Sequence, residues 1–387
     1  MTTNRDQKIP LWRDDRFWRI ALQILVIVIV VSLFALLGGN LTRNLRQTGN
    51  NFGFDFLNTS AGFNILDSLI PYTPTDPYSR VLFAGLLNSL RVMFFGIILT
   101  TLLGIAVGVA RFSDNWLLRQ LSLIYVEIVR NTPLLLQLVF WYGIFVQFPL
   151  IKESLNILNS IYLSKQGIFI PWPSGIQGII GLGILVICAI AAFIVSKRRT
   201  KVMVERGESG QPQLITLGII GIIALLTLTV GLNWQRPMFN PTTNTIEGGL
   251  RLTIEFTTLL VSLVVYTAAY IAEIVRAGIQ SVPKGQWEAA RSLGLKSGLV
   301  MQLVVFPQAL RVIIPPLNSQ YLNLAKNSSL AVAVAYADVY NVANTTFNQT
   351  GRAIEVMLII MATYLTINLF ISLGMNQLNR SVQLRER

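Results

Sequence analysis

Long apolar segments constrain the fold of this chain more than any other feature of its sequence. A helix needs about twenty apolar residues to cross the ~30 Å hydrocarbon core of a bilayer, and about eight windows reach that length. They centre on 20–38, 84–110, 121–147, 176–196, 213–233, 251–276, 311–335 and 354–375. Only 13% of the residues are charged, against about 25% in soluble domains. The sequence therefore predicts an all-α, polytopic membrane protein with about eight transmembrane helices.

The distribution of basic residues predicts how the chain is oriented. The net charge of +13 would suggest nucleic-acid binding in a soluble protein, but here Lys and Arg gather in short loops and at the termini. If the N-terminus is cytoplasmic, the loops that become internal carry most of them, as the positive-inside rule requires. Those loops are 111–119, 197–212, 277–310 and 376–387. We therefore predict a multi-pass protein of the inner (plasma) membrane with both termini cytoplasmic and no nucleic-acid partner.

Two absences limit the chemistry that the chain can perform. It contains no histidine, which excludes His metal sites, His general bases and Ser-His-Asp triads. It contains no G-x-x-x-x-G-K-[ST] motif, so it cannot bind a nucleotide as a P-loop protein does, and any use of ATP must come from a partner. We expect no catalytic residue, no metal site and no bound cofactor in this chain.

A polar segment of mixed charge lies between two of the apolar windows. Residues 286–293 are good helix formers, and Pro283 and Gly294 are natural start and stop signals on either side. A polar helix between spans must lie in water, so it is either an ordinary solvated loop or a helix that another protein contacts. Trp287 and the pair 289–290 give it a small, partly apolar face suited to docking.

The spacing of residues in this segment is specific. Glu288-Ala289-Ala290 is followed after three residues by Gly294, and Pro307 comes thirteen residues after Gly294. This spacing resembles the EAA loop of bacterial ABC importer permeases. Val304 and Phe306 stand where that family usually has Ile and Leu. Other segments resemble the polar amino-acid uptake branch of the family, namely 88–90, 127–136, 270–279, 307–311 and 326–330. The resemblance covers about 81–147 and 250–378.

The rest of the chain departs from the common permease of that branch, which has about five core spans. An N-terminal span and outer loop (1–80) precede the permease domain (81–378), which contains a two-span insertion at about 150–249, and a cytoplasmic tail (379–387) follows. This layout resembles the longer permeases of general polar amino-acid importers. Those permeases work as a heterodimer with a second, related permease, and we expect the same here.

The resemblance implies a type I ABC importer permease core that performs no chemistry itself. Two ATP-binding cassette subunits would use ATP and Mg, and an extracytoplasmic amino-acid-binding protein would deliver the substrate. The EAA helix would couple the ATPase to the spans through Trp287, Glu288, Ala289, Ala290, Gly294 and Pro307. The rival class is a secondary transporter or channel driven by an ion gradient; a membrane-embedded enzyme is disfavoured because no nucleophile motif is recognisable.

Ionisable and polar residues inside spans are costly in lipid and are therefore candidates for a functional path. A free amino acid presents a carboxylate and an ammonium, which suit basic and acidic side chains respectively. The predicted substrate path comprises Asn88, Arg91, Glu255, Lys326, Asn327, Ser328 and Ser329. The alternative is that these residues form salt bridges between spans or extend to the interface.

A repeated tetrapeptide marks a predicted gate. Glu-Ile-Val-Arg occurs at 127–130 and at 273–276, in both cases near the predicted cytoplasmic end of a span. Proline closely follows the first copy, and proline inside a helix kinks it. The predicted gate and hinge comprise Glu127, Arg130, Pro133, Glu273 and Arg276.

Overall fold

The computed structural model describes residues 15–47, 52–158, 160–206 and 210–382, and the chain divides into two units. The two units are Met1–Asn58 and Thr59–Arg387. In the first, helix α1 (Asp15–Gln47) contains the apolar stretch Phe17–Asn40, which is long enough to span a bilayer. A 3-10 turn follows at Asp55–Asn58. Parts of the predicted N-terminal segment (1–14) and tail (383–387) lie outside the described residues.

The second unit is built mainly from helices that run back and forth between its two ends. They are α2 (Tyr78–Ala110), α3 (Trp116–Arg130), α4 (Leu134–Phe145), α5 (Gly175–Arg206), α6 (Gln211–Leu226), α7 (Ile254–Gln280), α8 (Lys284–Ser292), α9 (Ser297–Val300), α10 (Phe306–Asn327), α11 (Val339–Thr350) and α12 (Ala353–Val382). Over both units, seven of the described helices are long and apolar enough to cross a membrane. Helices α3 and α4 add an eighth span if the bent pair counts as one. The predicted membrane class and number of spans are therefore confirmed.

Close helix crossings hold the centre of the second unit together. A Cβ atom at Gly104 of α2 would lie 2.6 Å from the side chain of Ile271 in α7, and one at Gly108 would lie 2.7 Å from that of Val275. Small residues of this kind let backbones approach in membranes, where packing replaces the hydrophobic driving force between helices. The close crossing of α2 and α7 is therefore set by glycines of α2.

Short strands occupy parts of the segments 148–175 and 234–252. Four strands form an antiparallel sheet in the order β1 (Leu155–Ile157), β2 (Ile161–Ser164), β3 (Gly167–Ile170) and β8 (Leu250–Leu252). Two smaller pairs are β4 (Trp172–Pro173) with β5 (Trp234–Gln235) and β6 (Met238–Asn240) with β7 (Thr245–Glu247). Strand β3 pairs with β8, which is about eighty residues away, with helices α5 and α6 between them in the sequence. Local turn signals carry no information about such a pairing.

Helix α7 joins the two ends of the second unit. It begins next to β8 and ends next to α8, and its 27 residues extend over about 40 Å. We call the end that carries β8 the sheet end and the end that carries α8 the loop end.

Candidate functional site

Helix α8 at the loop end is a short polar helix with well-defined termini. Pro283 precedes it with an extended backbone, and its carbonyl accepts a hydrogen bond from the Gln286 N–H at 3.0 Å. At the other end the Leu295 N–H donates to the Ala290 carbonyl at 3.4 Å, and the Gly294 N–H donates to that of Arg291 at 2.9 Å. These two bonds form a Schellman motif, which requires a left-handed residue, and Gly294 has φ +75°.

The inner face of α8 packs against the protein's own core. Ala290 is buried, and Trp287 packs on the same apolar cluster, to which α7 contributes Ile279 and the start of α10 contributes Ala309. The side chain of Gln308 also donates a hydrogen bond to that of Gln286 at 3.3 Å. Helix α8 is therefore attached to the ends of two spans and must move with them.

This orientation changes the predicted docking face. Trp287 and Ala290 were expected to face a partner, but both point inward, because the short helix needs an apolar anchor on its own protein. The outward face instead presents Glu288, Ala289 and Leu293, whose side chain is 81% exposed. Leu293 was not predicted, although an isolated apolar residue directly before Gly294 is a signal that the sequence contains.

Pro307 is the remaining residue of the predicted coupling set. It lies exposed in the first turn of α10, directly after a π-helical turn. The backbone runs without interruption from α9 through a π-helical turn at Met301–Val305 into α10.

Three arginines converge on Glu273 at the loop end. The Glu273 carboxylate accepts a hydrogen bond from Arg111 at 2.6 Å, pairs with Arg276 one turn along α7, and lies 3.8 Å from Arg130 at the end of α3. The Arg130 guanidinium also lies over the Tyr270 ring, 5.5 Å from its centroid. The two copies of the repeated tetrapeptide therefore meet through Arg130 and Glu273.

The observed cluster differs from the predicted set at two residues. Arg111 was not predicted, although an arginine directly after an apolar helix is a visible signal. Glu127 is exposed and contacts Asn131, with 3.5 Å between the side-chain oxygen and nitrogen, so it does not join the arginines. The cluster thus ties together the ends of α2 and α3 and the body of α7.

The third predicted span is sharply bent at the predicted hinge. Helices α3 and α4 meet at 108° across Asn131, Thr132 and Pro133. The Gln137 side-chain amide donates to the carbonyls of Val129 at 2.9 Å and Thr132 at 3.0 Å. The carbonyls released by the break are thus satisfied inside the protein, as a break at membrane depth requires.

Asn88 and Arg91 on α2 are held by the segment that precedes α2. Arg91 Nη1 donates hydrogen bonds to both carboxylate oxygens of Asp67, at 3.1 and 3.2 Å. The Arg91 guanidinium also lies 3.8 Å from the centroid of the Phe256 ring. The Asn88 side-chain amide donates to the carbonyls of Asp67 at 2.7 Å and Ala337 at 2.9 Å. These contacts favour the salt-bridge alternative for Arg91. Asp67 was not predicted, because nothing in the sequence shows that its loop folds back.

A buried carboxyl group lies close to this arrangement. Asp338 caps α11 by accepting a hydrogen bond from the Asn341 N–H at 2.8 Å, and the Tyr364 hydroxyl lies 3.4 Å away. Burial raises the pKa of the Asp338 carboxyl from 3.8 to about 7, although the backbone hydrogen bonds act in the opposite direction. Asp338 could not be singled out from the sequence, because an aspartate before a helix is ordinarily a solvated cap.

Lys326 belongs to an exposed polar stripe along α10. Ser319, Asn323 and Lys326 share one face and are exposed, and Arg311 lies on the same side near the start of the helix, with exposed Val312 and Pro315 between. Within the described part of the chain, no carboxylate lies within ion-pair distance of Lys326. A polar stripe on a span is costly against lipid, so this face is expected to meet water or protein.

The other residues of the predicted path have different surroundings. Ser328 is buried and Ser329 half-buried, and their hydroxyls donate to the carbonyls of Ala325 and Lys326, both at 2.8 Å. Asn327 is half-buried beside them, and Glu255 is half-buried in the first turn of α7. The structure therefore groups Lys326 to Ser329 together and places Asn88 with Arg91 in a separate, internally paired group.

Comparison with known proteins places the chain among described transport components. Residues 222–384 match the family described as binding-protein-dependent transport system inner membrane component. The chain is 44% identical over 374 residues to the putative amino-acid ABC transporter permease protein YhdX of Escherichia coli K12, which covers 94% of each protein. It is 41% identical to the general L-amino acid transport system permease protein AapQ of Rhizobium johnstonii, over 97% of this chain and 94% of that one. It is 40% identical to the glutamate/glutamine/aspartate/asparagine transport system permease protein BztB of Rhodobacter capsulatus, over 97% and 96% respectively.

Proposed function

The chain belongs to the family of inner-membrane components of binding-protein-dependent transport systems and is an amino-acid ABC transporter permease. From this we propose that it forms the path of an ATP-driven importer of polar amino acids. It is a multi-pass protein of the inner membrane and not itself an enzyme. The proposal of polar cargo is supported by the names of two relatives, one a general L-amino acid permease and one a glutamate/glutamine/aspartate/asparagine permease.

The observation that carries the proposal is the way in which α8 is mounted. Ala290 and Trp287 fix the helix to the ends of α7 and α10, while Glu288 and Leu293 face outward. A force applied to the outer face is therefore passed to two spans at once. We propose that α8 is the EAA coupling helix and that an ATP-binding cassette subunit contacts this outer face.

The proposed assembly contains several further chains. Two ATP-binding cassette subunits bind ATP and Mg, and this chain binds neither. A second, related permease completes a heterodimer, and an extracytoplasmic amino-acid-binding protein delivers substrate at the sheet end. The loop end and both termini then lie in the cytoplasm, which agrees with the basic residues of the internal loops.

The polar stripe of α10 supports a location for the substrate path. Its exposed groups need water or a second permease opposite them, and a path between two permeases supplies both. We propose that Lys326, with Asn327, Ser328 and Ser329 behind it, binds the substrate carboxylate, and that Glu255 lies at the entrance. Asn88 and Arg91 support the path structurally through Asp67.

The gate is proposed to lie at the loop end. Arg130, Glu273 and Arg276 are joined there by ion pairs, and the bend at Pro133 lies directly after Arg130. Movement of α3 relative to α7 would break the Arg130 contact first, because at 3.8 Å it is the longest of the three. Glu127 lies on the exposed side of the same helix.

Charge reversal on the outer face of α8 tests the coupling role. The complete transporter is reconstituted in proteoliposomes, and ATP-dependent uptake of a polar amino acid is measured for Glu288→Lys and for Arg380→Glu, a reversal of an exposed charge near the end of α12. We expect Glu288→Lys to lose most uptake while the protein remains in the membrane, and Arg380→Glu to keep it.

Two results would contradict this proposal. Equal uptake by the Glu288→Lys variant and the wild type would show that the outer face of α8 is not a docking surface. Uptake that persists with a catalytically inactive ATPase, and that follows an ion gradient instead, would assign the chain to a secondary transporter.

A further inference from the structure

One face of the four-stranded sheet consists only of aliphatic side chains. The register places Leu155, Leu163, Ile168 and Leu252 opposite one another in one row, and side chains two residues apart along a strand share a face. The complete set, which we call the aliphatic face, is Leu155, Ile157, Ile161, Leu163, Ile168, Ile170, Leu250 and Leu252. No member is buried, and exposure reaches 55% at Leu155 and 44% at Ile157 on the edge strand.

The opposite face of the sheet is already covered by the protein. Phe169 is buried there together with Ile151 and Ile246, and Tyr162 packs against them. The hairpin β6–β7 supplies this cover, and its connecting residues 241–244 are exposed and mostly polar. Leu252, at the α7 side of the aliphatic face, packs against the helical core, and the rest of the face has no such cover among the described residues. The lobe is therefore layered, with an aromatic and aliphatic core between the hairpin and a largely uncovered aliphatic face.

The sheet lies at the level where the spans leave the membrane. Only Thr253 separates β8 from α7, and residues 171–174 connect β3 to α5. Trp172 and Trp234 lie at these junctions with part of their surface exposed, as is typical of residues at the headgroup level. Two of the four strands are therefore tied directly to the ends of membrane spans.

We propose that the aliphatic face rests in the interfacial layer of the leaflet at the sheet end, where the unpaired backbone groups of β1 stay hydrated, and that its occupant is lipid. Two observations favour lipid over a protein partner. The face contains no polar side chain, whereas protein interfaces carry about one hydrogen bond per 100–200 Å². It is also continued in sequence, just beyond β4, by the exposed aliphatic start of α5, where Ile176 and Ile179 are largely uncovered.

The inference gives the insertion a role that is separate from transport. The edge strand β1 would otherwise offer aliphatic side chains and unpaired backbone groups to other chains, which is a known cause of aggregation. Placed in the interfacial region, the same side chains anchor the lobe to the membrane and hold the start of α7 at a fixed depth.

Spin-label accessibility distinguishes lipid, protein and water at this face. Ile157→Cys and, as the matched control on the other face of the same strand, Asn156→Cys are labelled in the complete transporter in lipid nanodiscs. Cys188, the only native cysteine, is buried, and the unsubstituted chain measures its background. Collision rates are recorded with oxygen, which concentrates in lipid, and with a polar nickel chelate, which stays in water.

We expect the label at 157 to collide at least several-fold more with oxygen than the label at 156, and to be shielded from nickel. Strong nickel collisions at 157 would show a water-exposed face and overturn the proposal. Shielding from both reagents would show a protein partner and overturn it equally. Leu155→Cys repeats the measurement on the same face if labelling at 157 disturbs the sheet.

Discussion

The left-handed turn at Gly294 makes a sharp prediction about coupling. Gly294 has φ +75°, and a Cβ atom added there would meet nothing within 4 Å. Substitution by alanine therefore introduces no clash, and its cost is confined to the backbone. That cost is about 1–2 kcal/mol for an L-residue in this conformation, which corresponds to a factor of about 5–30 in an equilibrium constant.

Gly285 in the same helix supplies the matched control. A Cβ atom there also meets nothing within 4 Å, but its backbone conformation is helical. Alanine at 285 should stabilise α8 by up to about 1 kcal/mol, because glycine is a poor helix former. The two glycines thus differ in backbone conformation, and at neither would an added Cβ atom meet another group.

ATP-dependent uptake and ATP hydrolysis are measured together in proteoliposomes for Gly294→Ala, Gly294→Asn and Gly285→Ala. We expect Gly294→Ala to lower uptake per ATP hydrolysed by up to about 30-fold. We expect Gly294→Asn to lower it less, because asparagine tolerates the left-handed region. Gly285→Ala should match the wild type.

The reasoning fails if Gly294→Ala and Gly285→Ala behave alike, since the Schellman end of α8 would then have no part in coupling. It also fails if Gly294→Ala merely lowers the amount of protein in the membrane, with uptake per molecule unchanged. Asparagine performing worse than alanine would refute the backbone explanation in particular.

Three further predictions follow from the packing around the spans. Asp67→Ala leaves the mostly buried Arg91 unpaired, so it should cost about 3 kcal/mol, and combining it with Arg91→Met should recover most of the loss of thermal stability in detergent. Gly104→Ala forces a Cβ atom to 2.6 Å from Ile271 and should sharply lower accumulation in the membrane, whereas Gly143→Ala, which meets nothing within 4 Å, should not. Since the pKa of Asp338 is raised from 3.8 to about 7, its favourable contribution is complete below pH ~4 and is lost as the pH rises towards ~7; the melting temperature should fall over this range, and Asp338→Asn should flatten the profile.

The spans and α8 were predictable because their signals are local. Each span is a long apolar run, and α8 is delimited by Pro283 and Gly294 within a polar segment. The predicted hinge residues coincide with the 108° bend for the same reason, since the break is caused by Pro133 and its neighbours. Properties encoded in a dozen consecutive residues could thus be inferred without the fold.

What could not be predicted depends on partners that are distant in sequence. The inward orientation of Trp287 follows from an apolar cluster contributed by α7 and α10, and the role of Arg91 follows from a loop that folds back onto it. The sheet depends on a pairing of β3 with β8 around an intervening pair of helices. In each case the residue itself is visible in the sequence, but the residue that contacts it in the fold cannot be identified from the sequence.

The cluster around Glu273 has a consequence for how the loop end can open. One carboxylate serves arginines from three separate parts of the chain, Arg111, Arg130 and Arg276. The three guanidinium groups repel one another and compete for the same two oxygens, so withdrawal of Arg130 as α3 shifts leaves Glu273 more tightly paired with Arg111 and Arg276. Opening at this end is therefore expected to be stepwise, with α3 released from α7 while α2 stays attached.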